Sequence, residues 1–193
     1  MAYAAKDYSG LIGMEGFSET LLKNHFTLYQ GYVANTNRLM ESLASMLKEG
    51  KTGTPEYAEL KRRLGFEFNG MRLHEYYFGN LGGSGTLDSS GRLAQKLAED
   101  FGSAGDWEKD FRATGAMRGI GWVVLYQDNV TGRLFNQWIN EHEVGHPAGC
   151  IPILVMDVFE HVFMTDYGLN RAGYIEAFFK NIDWEMVESR LMA

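Results

Sequence analysis

Histidine is scarce in this 193-residue chain, and the five that occur are His25, His74, His142, His146 and His161. His161 follows Asp157 by four residues, a spacing that sets an imidazole and a carboxylate on one side of a helical turn. His25 and His74 each lie in a long stretch of apolar residues at helical spacing. Three neutral imidazoles with one carboxylate suit a borderline metal such as iron, manganese or zinc. Any one histidine alone is more often a hydrogen-bonded core residue than a ligand, so only the set points to a metal.

A competing pattern is His142-Glu143-Val144-Gly145-His146. It matches H-E-x-x-H, in which two histidines bind zinc and the glutamate activates water in a peptidase. Gly149 extends the match towards the longer H-E-x-x-H-x-x-G-x-x-H form, but position 152 is proline. The mechanism also needs a continuous helix, and Gly145 and Pro147 flank His146; proline inside a helix costs about 3 kcal/mol. Glu143 and His146 further make one Glu-x-x-His unit, but a di-iron site on a helical bundle needs two.

The elements that must position these groups follow from periodicity. Leu21, Leu22, His25, Leu28, Tyr29, Tyr32 and Val33 predict a helix from Ser18 to about Glu49, with Gly50 as its stop. A second helix is predicted from Thr54-Pro55 to about Phe78, ended by Gly82, Gly83 and Gly85. Shorter helices are expected over 93–101 and 106–117. The period then changes: 121–126 and 134–139 read as a hairpin around the turn residues of 128–132. The run 151–156, apolar throughout, is expected to be the central strand, with Cys150 a small buried residue on it. Helices over 174–180 and 184–191 close the chain. The fold class is α+β: an N-terminal helical hairpin (residues 1–85) followed by an α/β lobe (residues 86–193) with a small three-stranded antiparallel sheet.

Composition narrows the function. Hydrophobic residues make up 45% and charged residues 22%, which is ordinary for a globular fold. The formal net charge is -7 with no Lys/Arg cluster, which argues against a nucleic-acid partner. No run approaches the roughly 20 apolar residues of a membrane span. Cys150 is the only cysteine, so no internal disulfide forms. With no secretory pattern in MAYAAKDYSGLIG, the expected compartment is the cytoplasm.

Asp157-Val158-Phe159-Glu160-His161 resembles the D-x-W-E-H signature of iron/manganese superoxide dismutases, with Phe159 in place of tryptophan. Asp166-Tyr167 with Arg171-Ala172-Gly173-Tyr174 resembles the family's D-Y-x-x-x-R-P-x-Y, and Asp183-Trp184-Glu185 its N-W-E or N-W-D. Gly121-Trp122 resembles S-G-W, and His74-Glu75-Tyr76-Tyr77-Phe78 resembles H-x-x-F-W. Gly31-Tyr32-Val33 with Asn35 and Asn37 is similar to T-Y-V-x-x-x-N. The matches come in family order and touch both lobes.

The resemblance implies one iron or manganese ion per chain, held by His74, Asp157, His161 and His25. It implies the conversion of two superoxide ions to oxygen and hydrogen peroxide, the metal alternating between +3 and +2. Tyr32 would line the substrate channel, Trp122 and Phe159 the pocket, and His142 would sit behind the ligands and tune the metal. Glu160 matches the glutamate that bonds a partner subunit's ligand histidine, implying a homodimer or a dimer of dimers. Three departures stand out. His25 precedes Tyr32 by seven residues where the family has eight; either this helix lacks a bulge residue or the ligand is absent. The family's channel histidine and tyrosine fall on Leu28 or Tyr29 and on Met164. Gly70 stands where the iron enzymes carry glutamine, and Asn140-Glu141-His142 is similar to archaeal members with histidine there. The resemblance thus leaves His146 without a role. The other readings are a zinc peptidase at His142, Glu143 and His146, and a metal-binding protein of this fold without turnover.

Overall fold

A computed structural model describes residues 2–192. Helix α1 (Glu19–Lys48) begins where the Ser18 hydroxyl accepts from the Leu21 N–H, and α2 (Pro55–Gly79) where the Thr54 hydroxyl accepts from the Tyr57 N–H. Both are ordinary N-caps, and Pro55 fills a first-turn position where no N–H is needed. The two helices pack antiparallel as a hairpin. The buried stripe of α1 runs Leu21, Leu22, His25, Tyr29, Val33, Thr36, Leu39 and Leu43, the spacing of one helical face. Leu28 is not part of it; it is 42% exposed.

The remainder is α3 (Arg92–Phe101), α4 (Ala104–Gly115), strands β1 (Gly121–Asp128), β2 (Leu134–Asn140) and β3 (Cys150–Asp157), then α5 (Met164–Tyr167), α6 (Arg171–Lys180) and α7 (Trp184–Ser189). A 3₁₀ turn over Glu160–Val162 links β3 to α5. Helix α4 starts two residues before Asp106 because the Ser103 hydroxyl caps it by accepting from the Asp106 N–H.

The sheet is antiparallel with strand order β2-β1-β3. The central strand is therefore β1, not β3 as the apolar run 151–156 suggested. Strand β3 is buried because α2 and α7 cover it, and its free edge is satisfied by side chains. Asn80 donates to the Val155 carbonyl at 2.5 Å and Arg190 to the Ile153 carbonyl at 2.9 Å. Pro152, which has no N–H to give to a ladder, sits at the register shift between β1 and β3, a position open to proline only on an edge strand or a bulge. Cys150 is also not a core residue: it opens β3, half-buried, with Sγ 3.8 Å from the Ala148 carbonyl.

Two registers matter for the site. Trp122 on β1 pairs with Asp157 on β3 and with Ile139 on β2. Gly121, one residue earlier, has φ +148°, and a Cβ there would strike the Ile139 carbonyl oxygen. Gly121→Ala is expected to pry β2 from β1 and to cost roughly 2–4 kcal/mol of stability, read from urea unfolding; a loss below about 0.5 kcal/mol would contradict this account of the strand pair.

Candidate metal centre

Asp157 ends β3, and its carboxylate is fully buried. Oδ1 accepts from the Phe159 N–H at 2.8 Å, and the Tyr174 hydroxyl donates to the Asp157 carbonyl at 2.7 Å. These bonds leave Oδ2 facing inwards. Three imidazoles surround it: His25 Nε2 at 3.2 Å, His161 Nε2 at 3.2 Å and His74 Nε2 at 3.8 Å. One ligand atom from each of the four residues lies within 4.8 Å of the others. His25 and His74 are buried, while the His161 side chain keeps 26% exposure.

The donor set fits a metal on two counts. First, the His25 nitrogens and His74 Nε2 are buried without a hydrogen-bond partner, and buried polar atoms rarely stay unpaired without a reason. Second, His74 Nδ1 lies 2.5 Å from the Gly70 carbonyl. A carbonyl only accepts, so Nδ1 carries the proton and the Nε2 lone pair faces the cluster, the tautomer a metal needs. Three imidazole nitrogens and a carboxylate suit a borderline metal such as iron, manganese or zinc.

The unbroken geometry of helix α1 bears on the spacing of His25 and Tyr32. The helix runs without a break from Glu19 to Lys48, and seven residues at about 100° each close two turns to within ~20°. His25 and Tyr32 therefore point the same way without a bulge. The Tyr32 ring stacks on His74, with centroids 5.3 Å apart. It occupies the space above Gly70, where a Cβ would lie 2.5 Å from the ring. A glutamine at position 70 and this placement of Tyr32 exclude each other.

His142 reaches the cluster from the loop after β2. Trp122 Nε1 donates to His142 Nδ1 at 3.0 Å. The His142 proton is therefore on Nε2, which donates to the Tyr32 hydroxyl oxygen at 2.7 Å. Phe159 stacks on the His142 ring at 4.8 Å between centroids and on His161 at 5.4 Å. Trp122 stands edge-on to His74 at 5.0 Å. Sequence reasoning missed Phe66, whose ring packs on His142 at 4.6 Å, and the Tyr77–Tyr174 pair behind Asp157. Tyr77 and Tyr174 each stand in a motif of the family resemblance, but their contact with each other was not legible there.

The H-E-x-x-H segment is no peptidase site. Residues 141–143 form a turn rather than a helix, Val144 bridges back to Asn140, and every ring nitrogen is engaged. His142 bonds Trp122 and Tyr32; His146 bonds the Tyr126 hydroxyl at 2.7 Å and the His142 carbonyl at 2.8 Å. Glu143 is exposed on the loop surface. No nitrogen of the pair is left for zinc.

The electrostatics are those of a closed site. Burial pushes His25 down and His74 well down, with the His25 imidazole adding to the second. Burial also lowers His142, to about 4. For Asp157, burial alone would raise the carboxyl, but the His161 and His25 imidazoles hold it far below the usual carboxylate range. His161 moves up: burial opposes its charge, and the Asp157 carboxylate overrides burial. Burial raises Tyr32 to about 12, with Glu67 and Asp157 adding to it.

The comparisons with known proteins agree with this geometry. The C-terminal domain of iron/manganese superoxide dismutases matches residues 89–190. An iron superoxide dismutase of Aquifex pyrophilus is 37% identical over 190 residues, 96% of this chain and 89% of that protein. One from Cupriavidus metallidurans is 37% identical over 93% of this chain and 91% of its own length. A manganese superoxide dismutase of Haloferax volcanii is 34% identical over 89% and 85%. The chain belongs to the iron/manganese superoxide dismutase family.

The pKa directions give an acid-stability prediction for the metal-free protein. His25, His74 and His142 are lowered, so their contribution is present above the unfolded value near 6.5. It is lost as pH falls below that value, because the unfolded chain takes up protons the folded chain refuses. His161 is raised and contributes in the opposite sense, fully below 6.5. Three groups are lowered against one raised, and Asp157 adds a further loss below its ordinary value of 3.8. The Tm of the metal-free protein is therefore expected to fall steadily from about pH 7 to about pH 4. A Tm that rises over this interval would contradict the burial of neutral imidazoles.

Proposed function

We propose that His25, His74, Asp157 and His161 hold one iron or manganese ion and that the chain dismutates superoxide there. The observation that carries this reading is the convergence of three imidazoles on Asp157 Oδ2, in a chain of this family. The ion, when bound, supplies the one-electron alternation the reaction requires. The two lobes share the work: residues 1–85 contribute His25 and His74, and residues 86–193 contribute Asp157 and His161.

The chain's own groups do the rest. Asp157 stays ionised, because its carboxyl is held far down, and supplies the only negative ligand. His25 and His74 stay neutral and offer lone pairs. Each pair of superoxide ions consumes two protons, and Tyr32 and His142 are placed to manage them. Tyr32, raised to about 12, keeps its proton at neutral pH. Its oxygen already accepts from His142 Nε2, so its own O–H is free to donate elsewhere in the pocket. His142, at about 4, is neutral and acts as a fixed donor rather than a charge. Trp122, Phe159 and Phe66 exclude water around this pair, which strengthens each hydrogen bond.

A homodimer fits the same face. Glu160 is exposed beside the partly exposed His161. Leu28 on α1 and Met164 on α5, 42% and 46% exposed, add apolar surface on helices that both contact the turn carrying Glu160. Glu160 accepts the free N–H of the second subunit's His161, once in each direction across a two-fold axis. No described helix is long and apolar enough to cross a membrane, and the single cysteine suits a reducing cytoplasm.

Two experiments test these readings. The purified wild type is expected to carry about one redox-active ion per chain and to consume superoxide. His161→Ala is expected to lose both; full iron or manganese occupancy in that variant would overturn the ligand assignment. Full metal occupancy in the wild type with no superoxide consumption would leave metal binding without turnover. Sedimentation is expected to find a dimer that Glu160→Ala dissociates, with lower metal retention. A wild-type monomer that is fully active at micromolar concentration would rule the bridge out.

A further inference from the structure

The second histidine of the H-E-x-x-H segment has its own position in the fold. Trp122 and Tyr126 are four residues apart on β1 and therefore on one face of the strand. Both are buried, Tyr126 to 2% exposure. Each meets one histidine of the facing loop. Trp122 Nε1 donates to His142 Nδ1, and the Tyr126 hydroxyl lies 2.7 Å from His146 Nδ1. His146 Nε2 lies 2.8 Å from the His142 carbonyl. That carbonyl can only accept, so His146 carries its proton on Nε2, and Nδ1 accepts from Tyr126. The chain of donors is continuous from Tyr126 through His146 to the backbone of His142.

The loop between these pins is not a relaxed turn. Glu141 is a non-glycine residue at φ +49°, Gly145 is at φ +104°, and Asn140 and Val144 close a backbone pair with bonds of 2.9 and 3.2 Å. Residues in such conformations persist only when the surroundings over-determine them. Through these two contacts the His146 side chain ties the loop's far end to both the sheet and His142.

We propose that His146 is a positioning residue for the superoxide reaction. Anchored on Tyr126, it holds the His142 backbone so that the imidazole keeps Trp122 on Nδ1 and presents Nε2–H to Tyr32. The proposal rests on the superoxide dismutase reading for its effect on rate, but not for its effect on His142. The H-E-x-x-H spacing is then a match between two histidines of a loop and two aromatic donors of a strand.

The test uses His146→Ala, His146→Gln and Tyr126→Phe. Nitrogen-15 spectra of the metal-free proteins read the His142 tautomer, and kcat is measured on the metal-loaded ones. The wild type is expected to show His142 as a single Nε2–H tautomer. His146→Ala is expected to mix the tautomers and lower kcat about tenfold with metal content unchanged, the lower end of what loss of an outer partner costs. His146→Gln is expected to restore both, because its carboxamide accepts from Tyr126 through oxygen and donates to the carbonyl through nitrogen. Tyr126→Phe removes the anchor without opening the loop and decides the matter should His146→Ala fail to fold; it is expected to mix the tautomers too. An unchanged His142 signal and kcat in His146→Ala or Tyr126→Phe would overturn the proposal, as would equal losses in the Ala and Gln variants. A tautomer change in a protein whose wild type shows no superoxide turnover would uphold the positioning and sink only the activity.

Discussion

Asp157 carries a carboxylate buried to zero exposure. An ionised carboxylate deep in a protein is strongly penalised unless it is hydrogen-bonded and paired. Asp157 is both, but only through a particular set of neighbours. Oδ1 rests on the Phe159 N–H, its carbonyl on the Tyr174 hydroxyl, and Oδ2 among His25, His74 and His161. Those neighbours come from α1, α2, the turn after β3, and α6. The hairpin and the sheet lobe therefore meet around one oxygen atom, and a cation there turns an expensive arrangement into a stabilising one.

The remaining polar contacts spread outwards from that point. The Gly70 carbonyl fixes the His74 tautomer; the missing side chain at Gly70 admits the Tyr32 ring; Tyr32 bonds His142; His142 bonds Trp122; and Trp122 pairs across the sheet with Asp157. The circuit closes on the residue where it began. A change at one position is felt at others through short hydrogen bonds in a low-dielectric setting. It also explains how the chain manages without glutamine at position 70. Tyr32 takes that space, and the donor to Tyr32 arrives from the loop after β2 instead.

Much of this was legible in the sequence. The hairpin helices follow from apolar periodicity and the Ser18 and Thr54 caps, and the four residues that converge from three scarce histidines and one aspartate in family order. The centre of the sheet is β1, whereas the apolar run 151–156 suggests a central β3. Pro152 carried the contrary signal: proline in a strand marks an edge or a bulge. Strand β3 is apolar because α2 and α7 cover it, which is tertiary information. His25 looked displaced only against an eight-residue spacing; on an unbroken helix, seven residues suffice. The contacts that Phe66, Tyr77, Tyr126 and His146 make were beyond reach for a different reason, although Tyr77 stands in a family motif and His146 in the H-E-x-x-H match. Each acts through a partner remote in sequence, and no local pattern announces such a pairing.

The central claim is that residues of both lobes meet at one ion around Asp157 Oδ2. Its most direct test is a crystal structure of the iron-loaded protein with an anomalous difference map at the iron edge. The account predicts a single peak within coordination distance of His25, His74, Asp157 and His161. A peak ligated by His142 or His146, or one that leaves His25 unbound, would contradict it.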